Sequence, residues 1–156
     1  MISPPPQPAI PTPEGAAPAV FHGVRVMVLR AGQVMLAIDA GRAREVAPRA
    51  PAIRLPGAPS IVSGIVNVRG TLVPLVDLGL LLGSAPATAS GWLVTLELGG
   101  RRCALALDVL PVLRPADAPP RAAPTGHAWL AAEVSVAGAS LPLLDVDALA
   151  DDFLLH

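Results

Sequence analysis

The stretch that decides the fold is IVSGIVNVRGTLVPLVDLGLLLG, residues Ile61 to Gly83. The runs Ile61–Val68 and Thr71–Asp77 are rich in Ile, Val and Leu, a composition typical of strands. Between them, Arg69-Gly70 predicts a tight hairpin turn, because glycine adopts positive φ at little cost. The short apolar segment Leu78–Leu82 follows the second run. The stretch therefore predicts a β-hairpin that leads into a short apolar element.

The first predicted strand is apolar on both of its faces. Side chains alternate between faces along a strand, so Val66 lies on one face while Ile65 and Asn67 lie on the other. An antiparallel sheet usually leaves one face toward water. We therefore expect the second face to be covered, either by another part of this chain or by a partner protein.

The chain repeats itself. The segment GTLVPLVD at Gly70–Asp77 is echoed by GASLPLLD at Gly138–Asp145, and Val26–Ala37 resembles Leu93–Ala104 at nearly the same offset along the chain. Two copies of a β unit of about 65 residues are each small for an independent core, so we expect them to pack together. Many short strands with glycine turns favour small barrels over an open sheet.

These observations predict an all-β fold of two pseudo-repeated small barrels. The first barrel is expected at about 24–83 and the second at about 92–145, with a C-terminal helix over 146–155 that Asp145 caps. Residues 1–20 hold seven prolines and predict a disordered tail. Further expectations are strands at 24–31, 34–39, 92–98, 101–107, 128–136 and 140–144, an edge element at 42–46 and a long loop at 114–125.

The run GIVNVRGTLVPLVDL, residues 64–78, resembles the core signature of CheW-like domains, the coupling proteins of bacterial chemosensory arrays. The resemblance covers Val24 to Leu155, and further matches are Glu45-Val46, Asp108-Val109 and the LPLLD run that ends at Asp145. Gly79 departs from the family, which often has an arginine or another polar residue near that position.

This resemblance implies two SH3-like β-barrels and a non-enzymatic adaptor without a cofactor. It implies coupling of a chemoreceptor's cytoplasmic tip to the CheA-like regulatory domain of a sensor histidine kinase, with a receptor helix in a groove between the barrels. The protein would be a cytoplasmic monomer recruited to membrane receptor arrays. The expected partner-binding residues are Glu45, Val46, Gly64, Val66, Asn67, Arg69, Gly70 and Val109, and the expected structural residues are Pro74, Asp77, Asp108, Pro142 and Asp145.

Several of these residues have two interpretations. Arg69 is either a solvated turn residue or an arginine that pairs across the molecule or anchors a partner. Asn67 either satisfies backbone groups near the turn or contacts a partner. Gly64 marks a close backbone approach, within the barrel or to a partner helix. Glu45 is either a plain surface carboxylate or a partner contact.

Composition limits the other functional classes. The net charge of −1 disfavours nucleic acid and anionic membranes as partners. No apolar run of about 18 residues is free of charge and proline, and the N-terminus lacks signal-peptide features. Cys103 is expected to be a buried apolar side chain. The three histidines are far apart in the sequence, without metal-ligand spacing, so we expect no metal site.

Two alternative functions are considered. One is a CheW-like adaptor of a non-flagellar pathway, controlling type IV pili or gene expression. The other is an aspartic-type hydrolase in which Asp77 and Asp145 share a proton. Against the hydrolase, the hydroxyl residue of the D-[TS]-G motif is missing after both aspartates. Each aspartate can instead cap the helix that follows it.

Overall fold

A computed structural model describes residues 23–88, 90–98, 100–123 and 128–153. The predicted tail at 1–20 and the end of the predicted C-terminal helix lie outside these residues. The described strands are β1 Arg25–Ala31, β2 Val34–Asp39, β3 Ala43–Pro48, β4 Val62–Val68, β5 Thr71–Asp77, β6 Trp92–Leu98, β7 Arg101–Leu107, β8 Val112–Pro115, β9 Arg121–Ala122, β10 Ala132–Val136 and β11 Ala139–Leu143. The helices are α1 Leu78–Leu81 and α2 Val146–Phe153, with 3₁₀ turns at Ala40–Arg42 and Ala128–Leu130.

The strands form two sheets, which correspond to two packed SH3-like barrels. The six-stranded sheet has the order β8-β1-β2-β11-β10-β9, and the five-stranded sheet has the order β3-β6-β7-β5-β4. The predicted all-β class with two small barrels is confirmed. We call the two barrels the six-stranded barrel and the five-stranded barrel.

Contacts between opposite edges close the sheets. In the five-stranded barrel, Ile53 and Ile65 exchange two backbone hydrogen bonds of 2.8 Å, which carry the chain after β3 onto the far edge strand β4. In the six-stranded barrel, Ala116 donates to the carbonyl of Val24 beside β1, and Asp117 donates to the carbonyl of Ser135 in β10. The segment after β8 therefore spans from one edge region of that sheet to the other.

The repeat is confirmed down to its turns. Arg69 and Ala137 both have positive φ, 51° and 50°, and the glycine after each has φ of 84°. Positive φ at both central residues is the pattern of a type I′ hairpin turn, whose twist matches that of the flanking strands. The equivalent hairpins β4–β5 and β10–β11 thus share one turn geometry in spite of different sequences.

The two repeats exchange hairpins, which the sequence did not predict. β5 of the first repeat pairs in parallel with β7 of the second, and β11 of the second pairs with β2 of the first. Each barrel therefore combines a hairpin from one repeat with strands from the other. The sheets consequently do not follow the predicted division at 24–83 and 92–145, because periodicity identifies equivalent segments but not which copies pair.

Three clusters of buried side chains follow from this arrangement. One, around Val66, Val73 and Leu75, packs on the inner face of the five-stranded sheet. A second, around Val26 and Val134, does the same for the six-stranded sheet. The third and most extensive lies between the sheets and includes Leu29, Leu36, Ile38, Val94, Leu96, Leu105, Leu107 and Leu149. The two barrels are therefore joined by a shared apolar core.

Some predicted elements differ from the structure. The segment 114–125, predicted as a loop because it is rich in Pro and Ala, contains the end of β8 and the short strand β9. The strand predicted at 128–136 begins instead as a 3₁₀ turn that buries Trp129 and Leu130 in the shared core. Here tertiary pairing and packing override local composition. The edge element expected at 42–46 is confirmed as β3, at the edge of its sheet.

Candidate protein-docking site

Arg69 at the β4–β5 turn forms an ion pair with Glu45 on β3. The distance from Nε of Arg69 to Oε2 of Glu45 is 2.6 Å, while the Arg69 side chain is 82% exposed and Glu45 28% exposed. β3 and β4 are opposite edges of the sheet, so the pair spans the closure of the barrel. Pairing across the molecule was one of the two interpretations of Arg69, and the structure supports it.

Asn67 holds the same turn. Its side-chain oxygen accepts a hydrogen bond of 2.8 Å from the backbone N–H of Gly70. This bond supports the left-handed conformation of Arg69, which is costly for a residue with a Cβ. The interpretation that Asn67 satisfies backbone groups is confirmed, and its side chain lies at the surface beside Arg69.

Gly64 marks a close approach within the chain. A Cβ at this position would lie 2.3 Å from the carbonyl oxygen of Ile53, and the φ of Gly64 is 146°. The neighbouring Val66 is fully buried on the inner face of the barrel. The close approach at Gly64 is thus made within the barrel, and Val66 packs inside it. Partner contact by these two residues stays a prediction.

A groove between the two barrels contains Glu45 and Val46. Its volume is about 260 Å³. One wall belongs to the six-stranded barrel and the other to the region around β3, and the lining residues are Arg25, Met27, Ala40, Ala43, Arg44, Glu45, Val46 and Leu113. Leu113, on β8, is 47% exposed. The groove thus has an apolar lining with charged residues at its rim.

Val109 lies in a run of exposed apolar residues that ends at Leu113, which lines the groove. Leu110, Val112 and Leu113 of the same run are also exposed. The N–H of Ala116 points toward β1. By strand alternation, the outward N–H positions therefore fall on Pro115 of β8 and on Pro111 just before it, and a proline has no N–H. The edge is therefore poorly suited to strand addition, and a partner here is expected to contact side chains.

The outer face of the β4–β5 hairpin is a second exposed surface. It is the Ile65 face of β4, which was expected to be covered by another part of the chain or by a partner. Ile53 pairs with Ile65, and Ile65 pairs with Pro74, so the three lie in a row across the strands. Ile53 is 70% exposed, and Leu72, which lies two pairs further along the hairpin on the same face, is 64% exposed. We call Ile53, Ile65, Leu72 and Pro74 the apolar face.

The other repeat is polar at the equivalent face. Arg121 pairs with Glu133, and Glu133 pairs with Pro142. These three residues correspond, in that order, to Ile53, Ile65 and Pro74 of the first repeat. Arg121 and Glu133 form an ion pair of 2.7 Å, and this contact and a hydrogen bond from Ser140 lower the pKa of the Glu133 carboxyl. One repeat therefore presents charges at positions where its copy exposes apolar side chains.

The predicted structural aspartates each bind backbone N–H groups. Asp77 is buried, caps α1 through Leu80 and also accepts from Ala87. Asp145 caps α2 by accepting from Ala148 at 3.0 Å. The capping interpretation is confirmed for both residues. The hydrolase would instead require the two carboxylates to share a proton, and each of them is occupied by its own helix.

Asp108 fixes the linker between the repeats. Its side chain accepts from the N–H of Gly32 in the β1–β2 turn and from that of Thr88 at 2.6 Å. Arg49 donates to the carbonyls of Ala87 and Thr88 from the other side. The linker is thus bonded to both barrels.

Pro74 and Pro142 occupy equivalent places in their strands. Pro74 immediately precedes Leu75, where β5 begins to pair with β7 through Ala104. Pro142 immediately precedes Leu143, where β11 pairs with β2 through Ala37. A proline without an N–H is tolerated where a ladder is incomplete. Both prolines are therefore compatible with the structural role predicted for them.

Among the described residues, no group of three or more His, Cys, Asp or Glu side chains is placed to hold a metal ion. His22, His127 and His156 lie outside those residues. Within the same part of the chain, no helix is long and apolar enough to span a bilayer. Cys103 is buried as expected, and burial raises its pKa to about 12.

Two packed small barrels with an inter-barrel groove define a two-barrel β-domain. The family model of the CheW-like domain matches residues 25–153, and the chain belongs to this family. The chain is 29% identical over 98 residues to the chemotaxis protein CheW of Rhizobium meliloti, covering 61% of this chain and 63% of the relative. It is 30% identical over 73 residues to the probable chemotaxis protein CheW of Rhizobium etli, covering 46% and 47%. The matches span less than two thirds of the length of either relative.

The fold also matches a solved structure. The crystal structure of the scaffolding protein TtCheW from Thermoanaerobacter tengcongensis superimposes with a TM-score of 0.68 at 19% identity. The match covers 79% of this chain and 89% of that chain. Because the sequence identity is low, this structural likeness is evidence for the fold alone.

Proposed function

We propose that this protein is a non-enzymatic adaptor that couples chemoreceptors to a sensor histidine kinase in bacterial chemotaxis. The observation that carries the proposal is the difference between the repeats: one exposes the apolar face and its copy covers the same positions with an ion pair. Exposed apolar patches on soluble proteins mark interaction sites. The family and the names of the relatives, which are a chemotaxis protein and a scaffolding protein, support the same role.

The groove is the proposed receptor site. A helical receptor tip can place an apolar stripe against Val46 and Leu113, as in other helix-in-groove complexes. The exposed Arg69 stands beside this region, and its guanidinium is held by Glu45 with donors left over for a partner carboxylate. Glu45 therefore acts as a positioning residue for Arg69, and Val109 extends the same surface.

The apolar face is the proposed kinase site. A CheW-like regulatory domain of the kinase offers a barrel of the same kind, and two apolar strand faces can pack without strand addition. Ile53 and Leu72 together would provide a desolvated centre, which is where binding energy concentrates in interfaces. Two separate surfaces allow both partners to bind at once, and an array supplies multivalency to weak single contacts.

The remaining parts of the proposal follow from the adaptor role. The protein needs no cofactor, acts in the cytoplasm and is recruited from a monomeric state into membrane receptor arrays. The alternative is the same role in a non-flagellar pathway that controls type IV pili or gene expression. The receptors recovered with the protein would decide between the two.

The test is a pull-down of the tagged full chain from its own cell lysate, read by mass spectrometry. We expect a histidine kinase and a methyl-accepting receptor with the wild type. Leu72→Asp should lose the kinase and keep the receptor, because a carboxylate at the centre of an apolar interface leaves a buried charge unpaired. Ser140→Asp, at the equivalent position of the other repeat, is the matched control and should keep both.

Two results would contradict the proposal. Recovery of neither partner by folded wild-type bait would refute the coupling function. Loss of the kinase from Ser140→Asp to the same extent as from Leu72→Asp would refute the assignment of the apolar face.

A further inference from the structure

A cleft lies beside the apolar face, on the five-stranded barrel. Its volume is about 420 Å³, and the lining residues are Arg49, Ala50, Pro51, Ala52 and Ser63. Ala52 immediately precedes Ile53, and Ser63 is on β4 two residues before Ile65. The cleft is therefore continuous with the surface that the proposed function assigns to the kinase.

Arg49 is the charged residue of this cleft, and its guanidinium is held from one side. Its Nη1 donates to the carbonyls of Ala87 and Thr88 at 3.3 and 3.2 Å. These carbonyls belong to the linker, which Asp77 and Asp108 fix through other hydrogen bonds. No described residue accepts from Nε or Nη2 of Arg49, and these two atoms form the edge that binds a carboxylate through two hydrogen bonds. The guanidinium is thus oriented before any partner binds.

The charge at this margin of the apolar face is positive and unbalanced. Within the described ranges, neither Arg49 nor the exposed Arg54 forms an ion pair, and the hydroxyl of Ser63 has no hydrogen-bond partner. Arg49 is half-buried, so salt screens its charge less than that of a fully exposed arginine. Complementary charges across an interface select the partner. A partner that packs on Ile53 is therefore expected to bring an acidic side chain to the cleft.

We propose that the cleft is a carboxylate-binding site, in which Nε and Nη2 of Arg49 bind an aspartate or glutamate side chain of the kinase's regulatory domain. This inference rests on the proposed function and names the contact that gives the apolar face its specificity. Apolar packing on Ile53 and Leu72 has no directional preference. A bidentate pair between an arginine and a carboxylate accepts one orientation, so it fixes how the partner barrel is rotated on the apolar face.

The test measures the affinity of the full chain for the histidine kinase recovered in the pull-down, at several salt concentrations. Arg49→Gln should weaken binding about tenfold, because charge-assisted hydrogen bonds are lost, and should make the affinity fall less steeply with salt. Arg30→Gln is the matched control. Arg30 also donates to a backbone carbonyl, that of Gly32 at 2.9 Å, and lies on β1 of the other barrel. This control loses the same charge and should bind the kinase as tightly as the wild type.

A double-mutant cycle identifies the acidic partner. Each aspartate and glutamate of the kinase's regulatory domain is neutralised in turn, which leaves the fold of this chain untouched. One of these changes should weaken binding to the wild type and add no further loss to Arg49→Gln.

Three results would overturn the inference. The first is an equal loss from Arg49→Gln and Arg30→Gln, and the second is a cycle in which every acidic residue is additive with Arg49. The third is kinase binding that Leu72→Asp abolishes and Arg49→Gln leaves unchanged, which would leave the proposed function intact. Absence of kinase binding by the folded wild type would refute the proposed function as well.

Discussion

Gly64→Ala tests whether this glycine serves the fold rather than a partner. The alanine Cβ would lie 2.3 Å from the carbonyl oxygen of Ile53 and 2.8 Å from its carbonyl carbon. Both atoms belong to backbone, which cannot rotate away as a side chain can. The segment around Ile53 must therefore move away from β4, and the barrel loses part of its closure.

The expected cost can be assembled from two contributions. A non-glycine residue at the φ of 146° is strained by about 1–3 kcal/mol. Displacing Ile53 breaks its two 2.8 Å hydrogen bonds with Ile65, each worth about 1 kcal/mol. The sum is roughly 3–5 kcal/mol, which corresponds to a fall in Tm of roughly 6–20 °C for a chain of this size.

The assay is thermal unfolding followed by circular dichroism, with Gly57→Ala as the matched control. Gly57 also has positive φ, 82°, but a Cβ there would have no neighbour within 4 Å. The control should therefore lose only about 1–2 kcal/mol of unfolding free energy through backbone strain. A Gly64→Ala variant that melts with the wild type, or no lower than Gly57→Ala, would refute the close-approach argument.

Three further predictions concern other parts of the fold. Arg69→Asn should keep or raise the Tm, because Asn-Gly favours the type I′ turn and the exposed ion pair contributes little, yet it should weaken receptor capture in the pull-down. Backbone hydrogen bonds from Gly138 and Ala137 and the Ser135 hydroxyl lower the pKa of Asp117. Its contribution to stability is therefore present above its ordinary pKa and is lost as the pH falls through the lowered value. Asp117→Asn should consequently lose less unfolding free energy in acid than the wild type does, as measured by urea unfolding at several pH values. A fragment covering residues 24–83 should be unfolded by circular dichroism, because β2 and β5 pair in parallel with strands of the other repeat; a cooperative thermal transition in this fragment would contradict the exchange of hairpins.

Local sequence determined much of the architecture. The hairpin β4–β5, its turn at Arg69-Gly70 and the aspartate caps of both helices depend on residues close together in the chain. The repeat could also be predicted from the sequence, because equivalent hairpins keep the Pro-Leu-apolar-Asp pattern that ends at Asp77 and Asp145. Such features follow from strand composition, turn conformation and capping chemistry, which act over a few residues.

Only the tertiary structure decided how the two copies combine and which surfaces remain free. Periodicity makes Ile65 and Glu133 equivalent but cannot say that one would face solvent beside Ile53 and the other would pair with Arg121. Likewise, Gly64 in the sequence indicated a close backbone approach, but only the closure of the barrel shows that the approaching segment is the backbone of Ile53. Glu45 and Arg69 are far apart in the sequence, and they meet because the two edges of one sheet close on each other. These contacts depend on strand order and closure, which no local pattern encodes.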